Sequence, residues 1–232
     1  MADFESPTFS AGPVAGQDGW TITPSPPDFQ EVGPSIGEFG GGGAAYFGPI
    51  ATPPQDEIEM TRFVGSTLLS GGSFSVDFSL QPSFDPANDG FEFIFLSSDV
   101  VVGAIAFVPP SSQPAPGLNI FITDLAGSED TGLAALYQRA LNLTLDFSSD
   151  GSGGTDVEFS IFDYNTPGTS TFTGNFDGVE SIDELGIAWI KNTGDSVEGD
   201  SFIIFDNLSF IPEPSSLLLA MFGAVFALRR RR

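Results

Sequence analysis

The amino-acid sequence predicts an all-β fold, an antiparallel two-sheet sandwich followed by a short C-terminal hydrophobic helix. Three observations predict it. Short apolar runs recur along the chain, separated by turn residues roughly every ten positions. The 28 Gly and 18 Pro sit in clusters between those runs rather than inside them. The 24 Phe, within a hydrophobic content of 41%, supply enough bulk to fill a core between two sheets. No internal repeat of fixed period is present, which argues against a propeller or solenoid.

Taken in order, the first strand starts near Asp3-Phe4-Glu5. Gly16-Gln-Asp-Gly-Trp20 reads as a tight turn followed by an aromatic anchor. Positions 24–34 are a Pro-rich loop without periodicity. Gly40–Gly43 is a flexible turn into the strand at Ala44–Phe47. It is no phosphate cradle, because no Lys-Ser/Thr pair and no helix follow it. Gln55–Glu59 is an acidic loop leading into Met60–Leu69. From Ser73 the alternation is plain, with Phe74, Val76, Phe78 and Leu80 on one side and Ser73, Ser75, Asp77 and Ser79 on the other. Phe91, Phe93 and Phe95 oppose Glu92, Ile94 and Leu96 in the next strand. Val100–Val108 and Leu118–Thr123 are further strands.

Leu133, Leu136, Tyr137 and Ala140 fall at helical spacing, so Thr131–Ala140 is the one helix expected in the body, with a single turn or a strand left open. Leu141–Phe147 and Asp156–Tyr164 are half-buried strands around a Gly/Ser/Asp hairpin loop. A short strand is expected at Thr171–Thr173. Leu185–Ile190 and Ser201–Phe210 are the last strands, with Asp183-Glu184 as a solvated entry to the first of them.

Charge narrows the function classes. The net charge is −24, and four of the seven basic residues are the terminal Arg229, Arg230, Arg231 and Arg232. Before Pro212 only Arg62, Arg139 and Lys191 stand against all but one of the 31 acidic residues. No basic patch exists to displace counterions from phosphates, so nucleic-acid binding is excluded. Such acidity serves solubility and self-repulsion, with divalent cation binding as the alternative. The absence of Cys and His removes thiolate and zinc–histidine metal sites, Cys–His pairs and Ser–His–Asp triads.

The C-terminus has three parts: Pro212-Glu213-Pro214, an apolar stretch from Ser215 to Leu228, and the arginines. Ser215, Leu217, Leu218, Leu219, Met221, Phe222, Val225, Phe226 and Leu228 carry the stretch, which is apolar on every face from Leu217 onward. As a helix it would run about 21 Å, short of the roughly 30 Å hydrocarbon core. Snorkelling arginines and local thinning make insertion feasible but strained. The arginines keep to the cytoplasmic side, which leaves the acidic body on the other. Two domains follow: a β-sandwich over 1–211 and an anchor segment over 212–232.

This tail resembles the PEP-CTERM sorting signal of Gram-negative bacteria. The resemblance implies export and passage through the inner membrane. It also implies recognition near Pro212-Glu213-Pro214 by an exosortase, which delivers the protein to the cell surface, outer envelope or extracellular matrix. The three residues are then read by an enzyme rather than catalytic, and their prolines keep the segment extended. Met1–Pro7 has neither a basic nor an apolar leader region, so no signal peptide is visible there. That conflicts with a tail that needs export. Either the numbered chain begins near a mature N-terminus, or the gene starts upstream of Met1; the second is the preferred explanation.

The body, through its opening Asp3–Pro7 and Gly16–Trp20 and its closing Phe205-Asp-Asn-Leu-Ser-Phe210, resembles exported concanavalin A-like (laminin-G-like) jelly-roll domains. The resemblance implies that the first and last strands pair in one sheet. Lectins and laminarinase-type hydrolases share that fold, so fold alone does not select between them. Laminarinase-type enzymes carry Glu-x-Asp-x-x-Glu on one strand. Here Glu180-Ser-Ile-Asp183-Glu184 stands instead, with the wrong spacing. Glu92 and Glu158 are mid-strand carboxylates that either reach a concave face or, as is commoner, face solvent on the surface.

The expectation is therefore a non-enzymatic exported protein with no catalytic residues. Carbohydrate binding, including exopolysaccharide, is left open for it. The alternatives are a secreted glycan-active hydrolase and a purely structural surface protein. Tyr164 is the candidate for sugar stacking among Trp20, Tyr46, Tyr137, Tyr164 and Trp189, of which Trp189 is assigned to the core. No cofactor is expected. Calcium is left open at Asp150–Asp156, whose oxygen ligands alternate but lack a distal bidentate Glu. Asp85–Gly90 is a second oxygen-rich turn, and both loops also read as plain β-turns.

Overall fold

A computed structural model describes residues 10–211, apart from 12, 24–29, 35–36, 40–41, 49–56, 70, 82–88, 112–115 and 193–200. The expected first strand at Asp3-Phe4-Glu5 and the expected C-terminal helix lie outside these residues.

The described chain forms fourteen strands: β1 (Trp20–Thr23), β2 (Gln30–Pro34), β3 (Gly43–Phe47), β4 (Glu57–Leu68), β5 (Ser73–Gln81), β6 (Gly90–Ser97), β7 (Val100–Val108), β8 (Gly117–Asp124), β9 (Ser128–Leu136), β10 (Leu141–Ser149), β11 (Thr155–Asp163), β12 (Thr169–Phe176), β13 (Ser181–Ile190) and β14 (Phe202–Ile211). They make two antiparallel sheets of seven. Sheet one runs β1-β4-β13-β6-β7-β8-β9, and sheet two runs β12-β11-β10-β5-β14-β3-β2. The predicted all-β two-sheet sandwich is what the chain forms. The last strand, β14, pairs with β3 and β5, whereas β1 pairs with β4 in the other sheet.

Period two decides which residues meet between the sheets. Phe74 and Phe78 of β5 face Phe93 and Phe95 of β6 and Phe107 of β7. Their ring centroids are 5.2–5.9 Å apart, mostly edge-on or tilted. Phe147 and Phe176 extend the cluster to one end. Offset and edge-to-face pairs are the favoured aromatic geometries and add to area burial. Trp189 is fully buried, as expected. Its indole Nε1 donates to Asp89 Oδ2 at 3.1 Å, so its polar edge is satisfied inside the core.

Four expectations are corrected. Thr131–Ala140 is not a helix: β9 runs to Leu136, and a turn then carries the chain from sheet one to sheet two. The misreading comes from a bulge. Asn119 pairs with Ala134 but Phe121 with Asp130, so Ile120 faces an enlarged segment in which Gly132 takes φ +69°. The bulge breaks the alternation and imitates helical spacing. Gln30–Pro34, expected as loop, is edge strand β2. An edge tolerates Pro34 because one side of the strand needs no ladder donors. Glu57 and Glu59 belong to β4 and Asp183 and Glu184 to β13, rather than to the loops before them. The strand expected at Thr171–Thr173 is the eight-residue β12.

One end of the sandwich holds the turns after β4, β6, β8, β10 and β12, and there β14 ends, at Ile211 paired with Ser73. The β6–β7 turn at this end is built on Ser98 and Asp99, both at positive φ (53° and 62°). Both carboxylate oxygens of Asp183 accept from the Ser98 N–H at 3.1 Å.

Candidate functional site

The outer face of sheet one gathers side chains that the strand pattern sends away from the core. One row crosses all seven strands: Thr23, Glu59, Ala188, Glu92, Ala106, Phe121 and Asp130. The adjacent row is Thr21, Thr61, Gly186, Ile94, Ala104, Thr123 and Ser128. The floor on β13 and β7 is thus Gly186, Ala188, Ala104 and Ala106, with Glu92, Ile94 and Leu96 of β6 standing between. Gly186 has no room for a side chain: a Cβ there would lie 2.6 Å from the Met60 carbonyl oxygen. Phe63 stands on β4 opposite Glu184 and is 68% exposed, the most open large apolar side chain among the described residues.

Electrostatics distinguish the carboxylates on this face. Partial burial raises the Glu92 carboxyl from 4.5 to about 7, assisted by repulsion from Glu57 and Glu59. Glu59 is also raised, by burial first and then by Glu57 and Glu184. Beside Glu92 lies a cavity of about 220 Å³, lined also by Gly90, Val108, Ile190, Lys191 and Asn192. The face therefore offers the exposed ring of Phe63, hydroxyls from a threonine row, and the carboxyl of Glu92 raised to about 7, while its centre at Ile94, Leu96, Ala104 and Ala188 is covered.

The other sequence candidates are dispersed. Glu158 is exposed on the outer face of sheet two, between Asp146 and Thr173. Tyr164 is on that same side, edge-on to Phe162 at 5.1 Å. Its hydroxyl donates to Asp77 Oδ1 at 3.0 Å, and burial followed by the Asp77 charge pushes its pKa up to about 12. Asp77 is itself buried at 6% exposure and also accepts from Asn142 Nδ2 (2.7 Å) and Asn207 Nδ2 (2.8 Å). Tyr164 is thus tied into a network that locks β5, β10 and β14 together. Trp20 is buried, and Tyr46 donates to the Pro34 carbonyl while stacking on Phe202.

In the calcium candidate, Asp150 accepts from the Ser152 N–H (2.7 Å), Ser152 Oγ (2.6 Å) and the Gly154 N–H (2.9 Å). The Ser152 hydroxyl foremost, then these amides, hold its carboxyl at about 2. Asp156 accepts instead from Asn175 Nδ2. The loop's own donors thus occupy Asp150, as in an Asx turn. Asp89, from the second oxygen-rich turn, is spent on Trp189 and on the Asn192 N–H.

Sequence reasoning missed Glu59, Glu184 and Phe63. The alternation Glu57-Ile58-Glu59-Met60 was the available signal for the first, since it places both glutamates on one side of a strand.

Comparison with known proteins agrees with both halves of the chain. Residues 210–232 match the PEP-CTERM protein-sorting motif. No curated protein matches the sequence. Among solved structures, the CBM2 module of the evolved Dit of Lactobacillus casei BL23 phage J-1 has a TM-score of 0.55 at 13% identity, covering 84% of this chain and 90% of that one. Lectin II from Ulex europaeus has a TM-score of 0.50 at 10% identity, over 84% and 94%. The exoplasmic/lumenal domain of VIP36, in its Ca2+/Man3GlcNAc-bound form, has 0.50 at 11%, over 85% and 93%. The body thus has the concanavalin A-like jelly-roll fold of lectins and carbohydrate-binding modules. The chain is an exported protein that carries a PEP-CTERM sorting motif.

Proposed function

We propose that the protein is a non-enzymatic, glycan-binding surface protein of a Gram-negative bacterium, and that the outer face of sheet one is its binding face. An exosortase processes its tail at the inner membrane and releases the body to the envelope or matrix, where exopolysaccharide is the ligand. The observation that carries the reading is Phe63: an aromatic ring, 68% exposed, beside Glu184 and in line with Glu59 and Thr61. A pyranose presents an apolar face to such a ring and hydroxyls to carboxylates beside it. The lectins and the CBM2 module that share the fold favour the same reading. A glycan array probed with wild type and Phe63→Ala, with and without calcium, tests it. Binding that disappears with Phe63 is expected. No binding by wild type in either condition, or binding indifferent to the substitution, defeats it.

One observation favours a second reading, glycoside hydrolysis. Glu59 and Glu92 flank Ala188 in one row, so their backbones are two strand spacings apart, about 9.5 Å. Inverting glycosidases hold their two carboxyl groups roughly 6.5–9.5 Å apart, a separation that side chains rooted at this spacing on one face can adopt. A carboxyl at about 7 is suited to donate a proton to a leaving group. Reducing-sugar release from β-glucans that is lost in Glu92→Gln would establish this reading in place of the first.

A further inference from the structure

A second cavity, of about 350 Å³, opens where the edge of sheet one meets sheet two, at the end of the sandwich opposite Ile211. The turn that carries the chain from β9 to β10 puts Arg139 at its mouth. Leu141 and Ile161 form an apolar wall, and Asp163, Thr166 and Ser170 add polar groups.

The mouth is firmly built. The Ala140 N–H donates to Asn165 Oδ1 at 2.8 Å, and the Tyr164 N–H donates to the Ala140 carbonyl at 3.0 Å. Asp163 Oδ1 accepts from the Asn165 and Thr166 N–H groups at 2.8 and 3.0 Å, which rigidifies the turn after β11. The β9–β10 crossing and that turn are therefore stitched into one rim.

Among the described residues Arg139 has no carboxylate at ion-pair distance; the one ion pair there is Arg62 with Asp18, at 2.7 Å. Arg139 Nη1 donates to a neutral group, Thr166 Oγ1, at 3.2 Å. A guanidinium has five donors in a planar fork that matches a carboxylate bidentately. Held by a neutral tether at a cavity mouth, this one keeps most of that capacity for a ligand.

We propose that the cleft binds a carboxylate-bearing sugar, one hexuronic acid unit, with Arg139 clamping the carboxylate. The ring lies against Leu141 and Ile161, and its hydroxyls meet Thr166, Ser170 and Asp163. The volume falls at the small end of ligand pockets, which run from roughly 300 Å³ upward. Because the body is strongly acidic, a polyanion is repelled at long range. The fitting ligand is therefore an acidic unit in an otherwise neutral glycan. This site is separate from the Phe63 face and does not depend on it.

The test is calorimetric titration of the full chain, kept in a polyoxyethylene detergent. The probes are a glucuronic acid–glucose disaccharide, cellobiose and acetate. The uronic disaccharide should bind at least about tenfold more tightly than either control. Arg139→Lys, which keeps the charge but loses the fork, should weaken it about tenfold, and Arg139→Ala should abolish it. Phe63→Ala should leave it unchanged. Equal binding of cellobiose, equal binding of acetate, or undiminished binding by a folded Arg139→Ala protein overturns the proposal. So does the absence of saturation below about 10 mM. Loss of binding in Phe63→Ala would transfer the ligand to sheet one and overturn it as well.

Discussion

Glu92→Gln gives the sharpest test of the electrostatics on sheet one. In the unfolded chain this carboxyl titrates near 4.5, and in the folded protein at about 7. Between those values the native state holds a proton that the unfolded state has released. Stability from this group is therefore full below about pH 4.5, falls as pH rises to 7, and stays low above it. At 1.36 kcal/mol per pH unit the gap corresponds to about 3 kcal/mol. Partial solvent access reduces that to about 1–2 kcal/mol. Glutamine keeps the shape and never ionises, so the variant should match wild type at pH 4 and exceed it at pH 8 by that amount. For a domain of this size the difference is about 2–8 °C in Tm. Thermal unfolding followed by circular dichroism at both pH values measures it. A Tm difference that is the same at pH 4 and pH 8, or wild type melting higher at pH 8, would refute the reasoning.

Other outcomes follow from packing and hydrogen bonding. Phe93→Ala empties the centre of the inter-sheet cluster, where its ring meets Phe74, Phe78 and Phe107, and should cost about 3–5 kcal/mol in urea unfolding. Asp77→Ala leaves the Asn142, Asn207 and Tyr164 donors without their shared acceptor and should cost about 2–4 kcal/mol by the same measurement. Replacing Pro212, Glu213 and Pro214 together by Ala should retain the unprocessed chain in the inner-membrane fraction; an unchanged size and compartment would contradict the sorting assignment.

The strands were legible wherever an alternating pattern ran unbroken. Phe74–Leu80 and Phe91–Leu96 show their buried faces without any structure, because period two maps directly onto a sheet with one wet side. Phase breaks hid the rest. The bulge around Gly132 made a strand look helical, and the one at Ile182/Glu184 detached Asp183 and Glu184 from the strand they belong to. The sorting motif was readable because it is local: breaker, apolar run and basic end are contiguous. The residues of the proposed binding face were not, since Phe63, Glu184, Glu59 and Glu92 come from three strands and meet only through register. Arg139 was visible as a scarce cation, but its cavity depends on where a crossing turn lands.

The ending of β14 has a mechanical consequence. Ile211 is still paired with Ser73, and Pro212 is the next residue, so no slack separates the sheet from the motif. An enzyme that reads the motif must bring its own rim against the end of the sandwich. The turns there carry Asp99, Asp150, Asp177 and Glu180 and, among the described residues, no lysine or arginine. An anionic surface would push that end away, and a cationic rim would draw it in. The strands run between this end of the sandwich and the opposite one, so both outer sheet faces extend away from the point where the motif begins.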